Sequence, residues 1–531
     1  MLMMSKYYKT ASLCSYHMHV ALSDSQKKLQ VGLQLFQLSQ KRDLTLARSH
    51  HFKREKSSFV KRVPQNIDEI GHDDSLSKNK QEAKRTDISK KENIFEDYRL
   101  AYRTKSTWEL SRALGIFLIC RFPSFADNAL RMIELSYRVL GKRFTDLLVG
   151  RTVYTQFVAG ETSQEMADSI ARLRRGGVGP ILCCPTECYS EHTGMAEEEF
   201  YDLNLSKVLA SIDMAAVLVD PYPMVQYKYT AFISGQLMTE ISPLCQKTIH
   251  NPDVIYGILA AMEGQFVDFA KLPGWESFPV EKSGAFLTGL TRIGQINKEL
   301  QKHDIIALTD AEYINMNPGL RLLGLCSMKQ CNSGQRAKVF YTYQAYLKRT
   351  AKELAEDLHF AKTSGFTFGV KLVRGAYMVQ ERERAKAGGY PDPINDNFEA
   401  TCQSYASCLD ILLNEAALTS DQHSTSKVRF ITASHNEDSV LYALQRMEEL
   451  RIPKDGGDVF FGQLYGMADH LSFSLGSMGY FTYKSMPYGS LSDTLPYLSR
   501  RAQENKAILV NARRERNLIL KTLRDRALLR G

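Results

Sequence analysis

After Pro223, short runs of β-branched and aromatic residues alternate with longer helical runs almost to the end of the chain. The strand candidates, each rich in Val, Ile, Phe, Tyr or Thr, lie at 225–233, 305–309, 338–343, 368–373, 428–432, 458–463 and 479–484. Strands that alternate with helices pair in parallel, and seven such units favour a closed barrel over an open doubly wound sheet. We therefore predict an α/β fold, a (βα)8 TIM-type barrel with a helical N-terminal region.

The composition predicts four segments. The chain has 531 residues, 44% hydrophobic and 24% charged, which is enough to bury a barrel-sized core. Residues 1–60 hold ten Lys or Arg against three acidic residues, as in a mitochondrial presequence, although a disordered basic tail has the same composition. We predict a presequence and basic linker at 1–95, a helical region at 96–224, the barrel at 225–510 and a basic helix at 511–531.

The signatures of several other site types are missing from the sequence. It contains neither G-x-G-x-x-G nor G-x-x-x-x-G-K-[ST], the usual indications of a Rossmann dinucleotide site and a P-loop. The apolar run at 114–120 is too short to cross a bilayer. Cys183, Cys184, Cys188 and His192 lack a standard zinc spacing, so we expect reduced thiols and no metal.

Polar residues stand at the ends of successive predicted strands, where barrel enzymes carry their active sites. They are Lys228, Asp310, Gln344, Lys371, Arg374, His435 and Asn436. Lys228 and Asp310 could form an ion pair across neighbouring strands. Lysine and arginine near 371–374 would stabilise negative charge on an electron acceptor, and Gln344 and His435 can hydrogen-bond a heterocycle. A single buried lysine is more often a snorkelling or paired side chain.

The motif YLSRRAQEN at 497–505 predicts a helix that carries an anion clamp. Tyr497, Arg500, Arg501 and Glu504 recur at helical spacing, which places a ring and a guanidinium on one face. Two arginines suit a small carboxylate, because a guanidinium is planar, bidentate and always charged. The alternative is a solvated pair in which Arg500 contacts Glu504.

These motifs together resemble the proline dehydrogenases. The resemblance covers about 107–513 and is carried by QYKYTA, DAEY, TYQAYLK, KLVRGAY, ASHNE and YLSRRAQEN, in that order. It implies a distorted (βα)8 barrel that binds FAD, oxidises a cyclic imino acid and passes electrons to a quinone. It also implies a location at the mitochondrial inner membrane, on the matrix side, with peripheral membrane contact; the basic C-terminal helix is a candidate for that contact or a solvated face.

The resemblance also implies roles for single residues. Arg500 and Arg501 correspond to the carboxylate clamp, Tyr497 to the ring that packs on the substrate, and Lys228 to a further carboxylate ligand with Asp310 as its partner. Tyr377 and Leu464 correspond to pocket walls. The positions that correspond to flavin contacts are Gln344, Lys371, Arg374, His435 and Asn436.

One departure from the family pattern concerns the substrate. Where proline dehydrogenases typically have the second tyrosine of YKYxPYG, this chain has Ser485. A small hydroxyl in place of a phenol leaves space and a hydrogen-bonding group, which suits trans-4-hydroxy-L-proline. The chain thus resembles the hydroxyproline-oxidising branch, giving 1-pyrroline-3-hydroxy-5-carboxylate. If Ser485 is a neutral filler, the substrate is L-proline and the product 1-pyrroline-5-carboxylate.

Two rival functions stay open from the residues alone. Lys228 on a barrel strand could be the nucleophile of a Schiff-base lyase. A catalytically silent barrel could instead act as a scaffold through its basic N-terminus.

A further departure from the family pattern is the polar segment 316–339, which looks short for a helix and a turn and could alter local flavin contacts.

Overall fold

The computed structural model describes residues 93–184, 186, 196–218, 220–334, 336–418, 428–504 and 512–528, with the backbone alone at 123–127, 130, 500, 501, 503 and 504. The chain divides into two units, Met1–Ser89 with Thr162–Asp168 and Lys90–Glu161 with Ser169–Gly531. The second unit contains the barrel. Of the predicted presequence and linker at 1–95, residues 1–92 lie outside the described residues.

Eight parallel strands close into a barrel in the order β1 to β8. Their bounds are β1 Val178–Cys183, β2 Met224–Tyr227, β3 Ile306–Thr309, β4 Val339–Gln344, β5 Phe368–Val373, β6 Val428–Ala433, β7 Val459–Leu464 and β8 Thr482–Pro487. β8 pairs with β1 along its whole length, with Ser485 opposite Ile181. The predicted barrel is confirmed, and each of the seven strand candidates overlaps one strand from β2 to β8.

Helices surround and precede the barrel. Before β1 lie the helices Tyr98–Tyr102, Thr107–Ile119, Pro123–Leu140, Lys142–Val149, Thr155–Phe157 and Ser163–Arg175. Single helices follow four of the strands: Glu197–Ala216 after β1, Asn317–Cys331 after β3, Thr350–Thr363 after β4 and Glu437–Glu449 after β6; a fifth, Asp469–Ser477, follows β7. The other three strands are followed by more than one helix: β2 by Gly235–Thr248, Pro252–Met262 and Ser283–His303, β5 by Met378–Gly388 and Phe398–Ala417, and β8 by Leu491–Glu504 and Arg513–Leu528. Side-chain caps fix several starts, as at Ser106, where a capping box forms with Glu109.

The barrel start predicted at residue 225 is too late. The first strand, β1, comes from the segment assigned to the helical N-terminal region, and the helix Glu197–Ala216 separates it from β2. The apolar run at 181–184 does predict a short strand, but a single strand among long helices shows no alternation that would assign it to the barrel.

Large apolar side chains fill the barrel below its mouth. They form one buried cluster of Ile181, Met224, Ile306, Leu308, Ala337, Phe340, Ile431, Phe460 and Tyr483. Gly179 on β1 makes room for this filling, because a Cβ there would lie 2.5 Å from the ring of Tyr483. The barrel interior is therefore a packed core, and a ligand can bind only at the ends of the barrel.

The segment 316–339 forms a regular helix, Asn317–Cys331, which is buried over most of its length. Its polar end is used structurally: Asn332 Oδ1 accepts from the N–H groups of Lys338 and Val339, and Nδ2 donates to the carbonyls of Val339 and Thr367. The expectation that this segment is too short for a helix and a turn is wrong, because it holds a 15-residue helix and a turn in which buried Asn332 satisfies backbone groups.

The C-terminal helix Arg513–Leu528 packs on the N-terminal helix Thr107–Ile119 through Leu518 and Ile519. These helices thus tie the two ends of the described chain together beside the barrel. Among the described residues, no helix combines the length and apolar character needed to cross a bilayer.

Candidate functional site

The carboxyl ends of the strands bring most of the predicted site residues to one mouth of the barrel. Parallel strands present their C-terminal ends at the same edge. Lys228 follows β2 and Asp310 follows β3, while Gln344, Lys371, Leu464 and Ser485 lie on β4, β5, β7 and β8. The helix Leu491–Glu504, which carries the predicted clamp, follows directly after β8.

A chain of hydrogen bonds crosses this mouth. Ser485 Oγ lies 2.9 Å from Gln226 Oε1, and Gln226 Nε2 lies 3.1 Å from both carboxylate oxygens of Asp310. Lys371 Nζ lies 2.6 Å from Asp310 Oδ1. We call these four residues the mouth relay. Ser485 and Gln226 are buried, and the side chains of Lys371 and Asp310 are 12% and 14% exposed, so the relay borders the open end of the barrel.

The ion pairs differ from the predicted one. Asp310, expected as the partner of Lys228, pairs with Lys371, whereas Lys228 Nζ lies 3.7 Å from Glu312 Oε2. Glu312 is held in place by Thr230, whose Oγ1 donates at 2.6 Å. From β2 it is Gln226, two residues before Lys228, that contacts both oxygens of Asp310, and the ammonium of Lys371 reaches the same carboxylate from β5. Each lysine is thereby oriented by its own carboxylate.

Gln344 has a fixed amide orientation. Its Oε1 accepts from Asn317 Nδ2 at 3.0 Å, and Asn317 Oδ1 accepts from the N–H of Glu312 at 2.9 Å. The Nε2 of Gln344 is therefore the end that can donate to a ligand. This arrangement places one oriented donor at the end of β4.

His435 and Leu464 are joined by a direct hydrogen bond, in which the Leu464 N–H donates to His435 Nε2 at 2.9 Å. Burial, with the positive charge of Lys484, lowers the pKa of His435 to about 3. The ring is therefore neutral, and since Nε2 accepts, Nδ1 carries the proton. His435 presents an N–H donor and at the same time fixes the backbone of Leu464.

Tyr377 forms an aromatic wall with a residue that the sequence analysis did not select. Its ring centroid lies 4.4 Å from that of Tyr313, and the guanidinium of Arg384 lies 3.9 Å from the Tyr313 ring. Gly375, just before Tyr377, has φ +146°, and a Cβ there would clash with the ring of Tyr346. The glycine of KLVRGAY therefore allows the turn that delivers Tyr377.

Tyr497 lies on the predicted helix, which the structure confirms as Leu491–Glu504. Its ring is buried with Val158, Cys183 and Leu498, and its hydroxyl lies 3.7 Å from Cys183 Sγ. The helix is therefore held against the end of β1. The side chains of Arg500 and Arg501 lie outside the described part of the structure, so the clamp stays a prediction.

Arg374 and Asn436 have structural partners. Arg374 donates to Ser439 Oγ and Cys402 Sγ, each at 3.2 Å, and its guanidinium lies 4.7 Å from the Phe398 ring. Asn436 caps the helix Glu437–Glu449 by accepting from the Ser439 N–H at 2.8 Å. Their predicted cofactor contacts stay predictions, and each side chain already has a role within the protein.

Sequence reasoning missed Gln226, although a signal was present. Gln226 lies two residues before Lys228 in an otherwise apolar run, at the alternation expected for the same side of a strand. Among the described residues, which do not include Cys188 and His192, no group of three or more potential ligands is arranged to hold a metal.

Comparisons with known proteins bear on this site. The family model described as Proline dehydrogenase matches residues 149–514. The chain is 41% identical to a hydroxyproline dehydrogenase of Xenopus laevis, over 80% of this chain and 88% of that one, and 39% identical to that of Bos taurus, over 81% and 93%. It is 30% identical to a mitochondrial proline dehydrogenase 1 of Drosophila melanogaster, over 82% and 81%.

A solved structure agrees on the fold. Proline utilization A from Bdellovibrio bacteriovorus, inactivated by N-propargylglycine, superposes with a TM-score of 0.52 at 19% sequence identity. The match covers 78% of this chain and 38% of that one. At this identity the likeness shows a shared barrel and nothing about the chemistry of the mouth.

Proposed function

The chain belongs to the proline dehydrogenase family, and on that premise we propose that it oxidises trans-4-hydroxy-L-proline to 1-pyrroline-3-hydroxy-5-carboxylate. Ser485 carries this proposal, because a buried hydroxyl at the barrel mouth offers a polar contact where a phenol would fill the space. The greater identity to hydroxyproline dehydrogenases than to proline dehydrogenases 1 supports it.

The donors at the mouth fit FAD. Gln344 Nε2 on β4, Lys371 on β5 and His435 Nδ1 after β6 are hydrogen-bond donors, as the carbonyl oxygens and acceptor nitrogens of a flavin ring require. The ammonium of Lys371 would counter negative charge on that ring. Bound FAD would supply the acceptor for a hydride equivalent.

The protein's own residues orient the substrate. Lys228, held by Glu312, would bind the carboxylate together with Arg500 and Arg501, and Tyr497 and Leu464 would enclose the ring. Fixing the carboxylate converts a bimolecular step into an oriented one. Loss of a hydride equivalent from the carbon next to nitrogen, and of the proton on nitrogen, leaves the C=N bond. The positive charge of the lysines favours the neutral amine that this step needs.

Steady-state dye reduction with trans-4-hydroxyproline and with proline tests the substrate. We expect the FAD-loaded native protein to prefer hydroxyproline, and Ser485→Tyr to shift preference toward proline. Ser206→Tyr, on the exposed side of Glu197–Ala216, is the matched control and should leave the ratio unchanged. Preference of the native protein for proline would instead favour L-proline as the substrate. Trapping of Lys228 by borohydride with substrate would favour the lyase.

We further propose that the protein lies on the matrix side of the mitochondrial inner membrane and passes its electrons to a quinone there. Three curated relatives have names that include "mitochondrial". Apolar side chains are exposed on the helices from 107 to 149, namely Trp108, Leu135, Val139, Phe144, Leu147 and Leu148. Arg131, Arg138 and Arg143 are exposed beside them. Such a surface suits an anionic bilayer.

Flotation with vesicles tests the membrane proposal. The protein should bind vesicles that contain anionic lipid and bind purely zwitterionic ones more weakly. Leu135→Glu should weaken this binding, while Phe266→Glu, at an exposed phenylalanine elsewhere, should not. Equal binding by both variants would contradict the assignment of this surface.

A further inference from the structure

We propose that Gln226 makes Ser485 an obligate hydrogen-bond acceptor, so that the site selects substrates whose ring substituent can donate a proton. The inference rests on the proposed function and deepens it. It assigns a positioning role to Gln226 and defines the class of substituent that the mouth accepts.

The argument begins at Lys371. An ammonium group can only donate hydrogen bonds, and the Asp310 carboxylate 2.6 Å away can only accept them. Gln226 lies 3.1 Å from both carboxylate oxygens. Its amide must therefore turn the NH2 group toward Asp310, because its own oxygen would otherwise face a carboxylate.

This orientation fixes the other end of Gln226. With Nε2 toward Asp310, Oε1 faces Ser485 at 2.9 Å, and an amide oxygen only accepts. Ser485 has a single hydroxyl proton, and it donates that proton to Gln226. Only lone pairs are then left on Ser485 Oγ for a ligand.

Burial makes this polarity selective. Ser485 and Gln226 are 7% and 8% exposed, so water competes little for the serine oxygen. A ring hydroxyl can donate to that oxygen, whereas a ring fluorine or ketone can only accept and would face lone pairs. Sites built around a buried hydrogen bond reject analogues that cannot complete it.

Substrate analogues of similar size provide the test. The probes are trans-4-hydroxy-L-proline, trans-4-fluoro-L-proline and 4-oxo-L-proline, compared by kcat/KM and by competitive inhibition. We expect the native protein to favour the hydroxyl compound over both acceptor-only analogues by roughly ten- to a hundredfold. Ser485→Ala, which leaves the other three relay residues in place, should bring both ratios close to one.

Variants of Gln226 separate polarity from packing. Gln226→Met keeps the length but releases the serine proton, so that Ser485 can donate to fluorine or to a ketone, and the ratios should fall toward one. Gln226→Glu places a carboxyl group against Asp310, so one of the two must hold a proton; the oxygen that faces Ser485 still accepts, and the ratios should be retained. Gln445→Met, on the partly exposed helix Glu437–Glu449, is the matched control and should match the native protein.

The outcomes are distinct. Two results would overturn the role of Gln226 while leaving the proposed function intact. One is that Gln226→Met still discriminates fully between the analogues; the other is that the native protein turns over hydroxyproline but does not discriminate between them. A native protein that turns over proline but not hydroxyproline would overturn both. If Gln226→Met does not fold, Ser485→Ala decides, since retained discrimination there shows that the serine oxygen is not the acceptor.

Discussion

Ser485 and Lys484 are neighbours on β8, yet each belongs to a different buried polar network. Adjacent residues of a strand point to opposite faces, so Ser485 joins the mouth relay inside the barrel and Lys484 points outward. Lys484 Nζ lies 3.0 Å from Asp469 Oδ1, and Lys105 also pairs with Asp469. Glu515 accepts from the N–H groups of Ala468 and Asp469. We call these four charged residues the outer charge cluster.

The two networks differ in closure. Lys484 and Asp469 are 0% and 4% exposed. Each charge in the outer charge cluster is met by protein groups, and these join β8, the helix Asp469–Ser477, the turn before Thr107–Ile119 and the C-terminal helix. The mouth relay reaches the open end of the barrel and leaves the lone pairs of Ser485 available. Closed polar networks hold elements together, whereas open ones have capacity left for a ligand.

The largest expected effect is on stability, in the outer charge cluster. Lys484→Met removes the charge that faces Asp469, and an uncompensated buried charge costs roughly 3–5 kcal/mol. Urea unfolding followed by circular dichroism measures the loss. A loss below about 1 kcal/mol would show that Lys105 alone compensates Asp469.

Glu515 should make stability depend on pH. Burial, with the negative charge of Asp469, raises its pKa to about 7. The folded protein then binds this proton more tightly than the unfolded chain, so its contribution is complete below pH 4.5 and is lost as the pH rises through 7. The loss is about 3 kcal/mol. Unfolding free energies from pH 5 to 8 should fall in the native protein and stay level in Glu515→Gln.

The opposite pH response is expected from Asp469. Burial opposes ionisation, but Lys105 and Lys484 outweigh it and lower the pKa of this carboxyl below 3.8. Its stabilisation is therefore present above pH 3.8 and is lost as the pH falls further. For Glu515, by contrast, the fall in unfolding free energy between pH 5 and 7 would belong to another group if Glu515→Gln left it unchanged.

In the mouth relay, activity should respond more than stability. Lys371→Met leaves Asp310 near solvent, so we expect a loss of about 1 kcal/mol in stability but roughly a hundredfold in turnover, as when one stabilising charge is removed from an active site. Paired unfolding and dye-reduction measurements compare the two. A stability loss equal to that of Lys484→Met would remove the distinction between the networks.

The smallest stability change is expected for Ser485→Ala. Gln226 keeps its contact with Asp310 and one neutral hydrogen bond is lost, so the loss should stay near 1 kcal/mol. Thermal unfolding measures it, and the analogue ratios described above should change in the same variant. A large loss of stability would place Ser485 in the framework and not in recognition.

The barrel and the strand-end residues could be predicted because alternation and position are local properties of the sequence. β1 was not assigned to the barrel, since closure pairs it with β8, far away in the chain. The partner of Asp310 was predicted wrongly for a related reason. Lys371 and Lys228 each lie at or near a strand end, so the sequence does not distinguish them, and only their packed positions decide which lysine reaches Asp310. Gln226 and Lys484 were missed because a single polar residue in an apolar strand does not reveal its partner.

Closure of the barrel between β1 and β8 also dictates when the site can form during synthesis. Ser485 takes its place only after β8 has met β1, whose paired residue Ile181 was made roughly 300 residues earlier, and joining ends so far apart is entropically costly and slow. A ribosome-bound chain that stops before β8 has no mouth relay, however well its earlier helices have formed. The emerging enzyme therefore stays inactive until its last strand arrives.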